Sequence, residues 1–169
     1  FGSSDRRPQQ ESQEHFRRVS QGERAAGAMS AVKGKVLSAV GLKNVDLWGK
    51  SDPFVKVTLE APDGSIAGEM KTATKTDDLN PTWEDESFNF SCGDGDFMEH
   101  SLRFRIWDTG LGPDVELGEV LLPLKLVPIA GADEEATVYN FSLGVHKGKK
   151  SLGKLSICAK VVPKPGLFG

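Results

Sequence analysis

Residues 54–60 read Phe-Val-Lys-Val-Thr-Leu-Glu, and this stretch decides the fold class. Val55, Val57 and Leu59 occupy alternate positions, a period of two that is typical of a strand with one buried face. The same period recurs in seven further runs separated by Gly, Pro, Asn and Asp: 32–41, 68–75, 82–91, 101–107, 116–122, 137–142 and 152–162. Because no long helical period interrupts them, the sequence predicts an all-β, eight-stranded antiparallel β-sandwich.

The composition excludes several classes of protein. The 169 residues include 21 Lys and Arg against 24 Asp and Glu, a formal net charge of −3. A near-neutral chain does not bind nucleic acid through general basicity. No apolar run approaches the roughly 18 residues of a spanning helix. Two cysteines, Cys92 and Cys158, have no metal-site spacing and fit a reduced, intracellular protein better than a disulfide framework, although one bridge is left open.

The chain divides into three parts. Residues 1–31 contain many Arg, Gln and acidic residues and few apolar ones, so we expect a disordered arm or linker, with a short helix over 11–19 as the alternative. The strand-like runs occupy residues 32–162. Residues 163–169 are expected to form a C-terminal tail.

Acidic residues collect in two of the predicted loops. Asp46 and Asp52 lie in the loop after the first strand, with Gly49 between them. Asp108, Asp114 and Glu116 lie around the loop after the fifth strand. Loops at the same end of a sandwich would bring these carboxylates together, where their repulsion requires a cation, and several hard oxygen donors suit calcium. The alternative for each acid is an ordinary turn or capping role.

Apolar side chains stand at the tips of the same loops. Leu47 and Trp48 separate the two acids of the first loop, and Leu111 and Val115 flank the other. Trp favours the interface between hydrocarbon and headgroups, so we expect these residues to insert into a membrane. The alternative is that Trp48 folds back onto the edge of the sandwich.

A basic surface is expected on the second and third strands. Alternation places Lys56 on one face of the second strand and Lys71 and Lys75 on one face of the third. With Phe54 and Trp107 alongside, these lysines form a candidate phosphoinositide site, because Lys binds phosphate as a point charge. A solvated lysine face is the alternative.

Several motifs in this sequence resemble the C2 domain, the lipid-binding module of protein kinase C. They are residues 51–57, Ser-Asp-Pro-Phe-Val-Lys-Val, and residues 79–90, Leu-Asn-Pro-Thr-Trp-Glu-Asp-Glu-Ser-Phe-Asn-Phe. Residues 106–108 and 117–119, and the closing run 153–157, also match the family pattern in order. The resemblance implies a β-sandwich in the circularly permuted type II order, as in phospholipases and novel protein kinases C.

The same resemblance implies particular site residues. The family holds calcium with five acids on its first and third loops, and Asp46, Asp52 and Asp108 match three of them. The next family acid falls on Gly110, and the last falls between Asp114, our choice, and Glu116, our reserve. We therefore expect one or two calcium ions, held less tightly than in a complete site. The family's basic groove keeps four positions and replaces a second groove lysine with an alanine: Phe54, Lys56, Lys71, Trp107 and Ala73.

These patterns predict a calcium-dependent module that binds anionic phospholipid membranes in trafficking, exocytosis or signalling. It would be a monomeric, cytoplasmic, peripheral membrane protein that binds no nucleic acid. Two alternatives remain open: a protein-interaction domain with a degenerate metal site, and calcium-independent phosphoinositide docking. We expect no enzyme, because no nucleophile, His-centred site or phosphate-cradling loop accompanies the acids.

Overall fold

The described residues of the computed structural model, 30–91, 96–131, 133–144 and 150–163, contain strands and only two short turns of 3₁₀ helix. The turns are Phe97–Glu99 and Leu124–Leu126. The strands are β1 (Ala31–Val40), β2 (Pro53–Glu60), β3 (Ile66–Lys71), β4 (Thr82–Ser91), β5 (Ser101–Asp108), β6 (Val115–Pro123), β7 (Thr137–Gly144) and β8 (Lys150–Val162). The all-β prediction is confirmed, and neither helical turn is long enough to cross a bilayer. The predicted arm, apart from its last two residues, lies outside the described residues, as do residues 164–169 of the tail.

The strands form two antiparallel layers. The first sheet has the order β3-β2-β5-β6 and the second has the order β7-β8-β1-β4. A single residue pair, Glu119 with Gly144, joins β6 to β7. The closing strand β8 lies between β7 and β1, so the first strand occupies the interior of its sheet. This is the order that the type II prediction requires.

The core lies between the layers and follows from the alternation in the sequence. Val55, Val57 and Leu59 of β2 are fully buried, while Trp83 and Phe104 are the largest of the fully buried side chains. Trp83 satisfies its indole N–H by donating to the carbonyl of Ala73, at 2.9 Å. At roughly 25 cal/mol for each Å² of apolar surface removed from water, these alternating residues stabilise the stacked layers.

The third strand differs most from its predicted bounds. It was expected over 68–75 but runs from Ile66 to Lys71. Beyond Lys71 the pairing with β2 becomes irregular: the N–H of the buried Thr72 still donates to the carbonyl of Val55 at 2.9 Å, but the amide of Val55 donates to the Thr72 hydroxyl, also at 2.9 Å. Lys75 therefore does not continue the strand face that carries Lys71.

Candidate functional site

The first loop, residues 41–52, is held by its own polar side chains. The Asn44 amide donates to the carbonyl of Gly49 at 2.9 Å, and its oxygen accepts the N–H of Asp46 at 3.1 Å. The Ser51 hydroxyl, which is fully buried, accepts the N–H of Val45 at 3.0 Å. These bonds fix the loop so that Asp46 and Asp52 leave it at defined places.

The second loop, residues 72–81, meets the first loop at Gly49. Gly49 has φ 82°, and a Cβ there would lie 2.7 Å from Oδ1 of Asp77, so only glycine fits. That same Oδ1 accepts the N–H of Lys50 at 2.8 Å. Asp77 itself has φ 52°, in the left-handed region that Asp tolerates better than most residues.

Hydrogen bonds to the Leu-Asn-Pro motif hold the end of β1 and the start of the first loop against the second loop. Leu42 donates to the carbonyl of Leu79 at 3.0 Å, and Ala39 donates to that of Pro81 at 2.9 Å. The side chain of Asn80 accepts the N–H of Gly41 at 2.9 Å. The motif therefore positions the site without being part of it.

Four aspartates converge where the three loops meet: Asp46, Asp52, Asp77 and Asp108, here called the aspartate cluster. Asp108, at the end of β5, is only 3% exposed, and its Oδ1 accepts the N–H of Asp52 at 2.6 Å. Oδ1 of Asp52 in turn accepts the N–H of Asp77 at 2.6 Å. Thr109, the first residue of the third loop (109–114), donates to the carbonyl of Asp52 at 3.1 Å.

The negative charges of the cluster affect the pKa of Asp46. Partial desolvation raises the pKa of its carboxyl, and the charges of Asp108, Asp52 and Asp77 and a hydrogen bond with Asp108 raise it further. In the described part of the chain, no three or more acidic, His or Cys side chains already stand in a metal-holding arrangement. Three of the carboxylates each use an oxygen on a backbone amide, so a bound cation would draw on the remaining oxygens. Those donors are all hard oxygens, a set that fits calcium.

Two predicted ligands lie elsewhere. Asp114 lines a groove with Phe54, Lys56 and Trp107 and, within the described part of the chain, forms no hydrogen bond to the aspartate cluster. Glu116 pairs with Trp107 in the β5–β6 ladder, and its Oε1 is buried without a hydrogen-bond partner. Because paired residues in an antiparallel ladder share a face, this register directs Glu116 towards Trp107 and away from Asp108.

Sequence reasoning missed Asp77. The acids were sought on the first and third loops, which the resemblance singled out, and Asp77 lies on the second. The signal available was the acidic pair Asp77-Asp78 just before the Leu-Asn-Pro motif, in a turn at the same end of the sandwich as the other acids.

Exposed apolar side chains lie beside two members of the aspartate cluster, Asp46 and Asp52. Leu47 and Trp48 are 95% and 93% exposed, and Leu111 is fully exposed. These three line an open hollow of about 660 Å³ together with Asp46 and Asp52. Trp48 does not pack against the edge of the sandwich, so that alternative was wrong. Val115 is half-exposed at the start of β6 and does not line the hollow.

The predicted groove around Lys56 and Lys71 is present, but its positive and negative side chains are equal in number. It encloses about 290 Å³ and is lined by residues of both signs: Phe54, Lys56, Glu69, Lys71, Trp107 and Asp114. The Lys71 ammonium lies 3.8 Å from the centre of the Phe54 ring, and Lys56 pairs with Glu69 at 3.1 Å. Lys75 does not line it. Two ammonium groups against two carboxylates leave little net attraction for a polyphosphate headgroup.

The raised pKa of Asp46 predicts a stability effect. The pKa of Asp46 is above 3.8 in the folded protein, so the protonated carboxyl contributes to the free energy of unfolding. That contribution is fully present below pH 3.8 and is lost as the pH rises through the raised pKa. Asp46→Asn should therefore melt slightly higher than wild type at pH 7 in chelator, with the difference shrinking on acidification, by calorimetry.

Asp63 provides the opposite control. Bonds from the hydroxyl and amide of Ser65 lower its pKa. Asp63→Asn should therefore not raise the melting temperature at pH 7. A lower melting temperature for Asp46→Asn than for wild type would show that the cluster is not under repulsion.

Comparison with known proteins places this arrangement in a family. The family model of the C2 domain matches residues 30–141. The chain belongs to the C2 domain family. As a C2 domain, it is a module of the type that binds membranes and lipids. A solved C2 domain of plant extended synaptotagmin 1 is 32% identical, with a TM-score of 0.67, covering 81% of this chain and 97% of that one.

Curated relatives share the C2 domain as part of longer proteins. The E3 ubiquitin-protein ligase NEDD4 of Rattus norvegicus is 31% identical over 139 residues, which are 80% of this chain and 15% of that protein. Synaptotagmin-1 of Arabidopsis thaliana is 40% identical over 96 residues, 56% of this chain and 17% of that protein. The chain thus spans less than a fifth of the length of either relative.

Proposed function

We propose that this C2 domain binds anionic phospholipid membranes in a calcium-dependent manner. The observation that carries the proposal is that Asp46 and Asp52 of the aspartate cluster line the same open hollow as three exposed apolar side chains, Leu47, Trp48 and Leu111. A polar protein surface does not ordinarily present a fully exposed Trp and two exposed leucines around converging carboxylates. A cation site and an apolar tip at the same place favour membrane docking.

The mechanism is electrostatic. Without a cation, Asp46, Asp52, Asp77 and Asp108 make this end of the sandwich negative and repel acidic lipid. Each bound calcium ion would supply two positive charges, which cancel part of this negative charge, and could also accept a lipid phosphate oxygen. Leu47 and Trp48 then enter the interface, where burial of apolar surface contributes about 25 cal/mol per Å². Charge brings the domain to the surface and the apolar tip retains it.

The relatives support the calcium part of the proposal. A protein of Arabidopsis thaliana named calcium-dependent lipid-binding protein is 32% identical over 126 residues, 75% of this chain and 23% of that protein. A role in trafficking, exocytosis or signalling at the cytoplasmic side of a membrane belongs to the same proposal. We infer no catalytic activity for the domain itself.

Sedimentation of vesicles tests the proposal. Vesicles of phosphatidylserine and phosphatidylcholine are spun with the protein in calcium and again in chelator. Sedimentation in calcium alone is the expected result. Equal binding in both conditions, strengthened by phosphoinositide, would replace the proposal with docking through Lys56 and Lys71. No binding in either would leave a protein-interaction domain.

Trp48→Ala should weaken membrane retention without weakening calcium binding. The ring of Trp48 is exposed and packs against no core residue, so its loss removes only surface available to the bilayer. We expect the vesicle dissociation constant in calcium to rise about tenfold, roughly 1.4 kcal/mol. Calorimetric titration with calcium in the absence of lipid should match wild type. Ile66→Ala, at an exposed site on β3, is the matched control, and an unchanged vesicle affinity for Trp48→Ala would remove Trp48 from the docking surface.

A further inference from the structure

The outer face of the second sheet carries three lysines on two neighbouring strands. Lys33 of β1 pairs with Lys160 of β8, and Lys35 pairs with Cys158. On the other side of β1, the same two lysines pair with Asn89 and Ser87 of β4. No acidic residue occupies these paired positions. We call this surface, Lys33, Lys35, Lys160, Ser87, Asn89 and Cys158, the lysine face.

Within the described ranges, Lys33 and Lys35 form no salt bridge, and the salt bridges lie on the first sheet. Lys160 differs, because its ammonium donates to the carbonyls of Gly131, at 3.1 Å, and Glu134. Like charges directly across a ladder are destabilising, so Lys33 opposite Lys160 costs the sheet some stability. An anion on this face would offset that cost.

A hollow lies between these lysines. It measures about 280 Å³, with Gly34, Phe88 and Ala136 contributing apolar atoms alongside the lysine stems. Gly34 has no side chain because a Cβ would lie 2.5 Å from the Phe88 ring and 2.0 Å from the carbonyl oxygen of Cys158. An apolar floor beneath a basic rim suits a ligand that has both an apolar group and negative charge.

The lysine face is set back along β1 from the first loop. The first loop begins after Val40, and Lys35 and Lys33 lie five and seven residues before it on β1. At about 3.3 Å per residue they are roughly 16 and 23 Å from the strand's loop end. The Debye length is about 8 Å at physiological salt, so a bilayer held at the loops exerts little attraction there.

From this placement we propose that the lysine face binds an acidic segment of a protein partner, with one of the segment's aromatic or aliphatic side chains in the hollow. Charge complementarity selects the acidic segment, and the apolar floor selects its buried side chain. This surface and the loop hollow have no residue in common. The domain would therefore hold a membrane at its loops and an acidic protein segment at the opposite end of the second sheet, independently of calcium.

Fluorescence anisotropy tests the proposal with a labelled ten-residue peptide in which glutamates flank a central tyrosine. In chelator, we expect this peptide to bind at least tenfold more tightly than the same peptide with glutamines. Lys33→Gln, Lys35→Gln should weaken binding at least tenfold. Lys50→Gln, Lys125→Gln removes the same charge from exposed sites elsewhere and should change binding less than twofold. Amide chemical shifts of Ser87, Asn89 and Cys158 should move on titration.

Three results would overturn this proposal. Equal affinity for the glutamate and glutamine peptides would show that the lysine face does not recognise the negative charge of the peptide. Equal loss of peptide binding in both double variants would show that binding depends only on the net charge of the domain. Loss of vesicle sedimentation in Lys33→Gln, Lys35→Gln, without loss of peptide binding, would make lipid the ligand of this face. Because the peptide assay contains chelator and no lipid, its outcome is independent of the calcium-dependent membrane proposal.

Discussion

The Asp46→Asn, Asp52→Asn double variant should lose the calcium-dependent part of vesicle sedimentation. Both side chains belong to the aspartate cluster, and removing two of four charges leaves too little attraction for a divalent cation to overcome its hydration. Asn keeps an oxygen where Asp52 accepts the N–H of Asp77, so the loops should keep their shape. We expect the calcium needed for half-maximal binding to rise at least tenfold.

A matched variant separates this effect from a loss of overall charge. Asp85→Asn, Asp133→Asn removes the same two charges from exposed positions outside the cluster. It should sediment as wild type does. If the Asp46→Asn, Asp52→Asn protein also binds as wild type, the cluster is not the calcium site.

Gly110→Asp should strengthen calcium binding. A Cβ at Gly110 would lie 3.7 Å from Oδ1 of Asp46, an ordinary contact, and Gly110 does not have the left-handed φ that disfavours other residues. An added carboxylate would join the cluster from the third loop. Since calcium affinity rises with the number of charged ligands, we expect a dissociation constant about tenfold lower by calorimetry, roughly 1.4 kcal/mol.

Gly112→Asp is the control for this change. It adds the same charge to the same loop, but a Cβ there would meet no atom within 4 Å. Its effect on calcium affinity should be less than twofold. Equal strengthening in both variants would show that only the general potential of the loop matters. Weaker binding in Gly110→Asp would show that the third loop does not face the bound ion.

Alternation predicted most of the fold because burial between two layers depends on a period of two. It failed at the end of β3, where the hydroxyl of Thr72 accepts the backbone amide of Val55 and the pairing with β2 becomes irregular. The local sequence does not indicate that the Thr72 hydroxyl takes the place of a backbone carbonyl as the acceptor. Lys75 does not line the groove with Lys71, and a face assigned by alternation requires an unbroken strand.

Two of the predicted cluster residues have positions that follow from the strand beside them. Asp108 ends β5 and Asp52 precedes β2, and both reached the cluster. Asp77 depends on a left-handed backbone opposite Gly49, which spacing does not reveal. Asp114 and Glu116 depend on the register between β5 and β6, which shifts at Ile106 and Trp107. A bulge of this kind redirects the residues beyond it and is set by pairing across the sheet.

The hydrogen bonds within the aspartate cluster turn three separate loops into one connected body. The amide proton of Asp52 points at one carboxylate of the cluster and that of Asp77 at another. Cation capture draws electron density from those acceptors, so each proton should report it as a change in resonance frequency. These two amide protons would therefore serve as spectroscopic reporters of the proposed calcium site, and one of them lies on the second loop, which the sequence had not connected with that site.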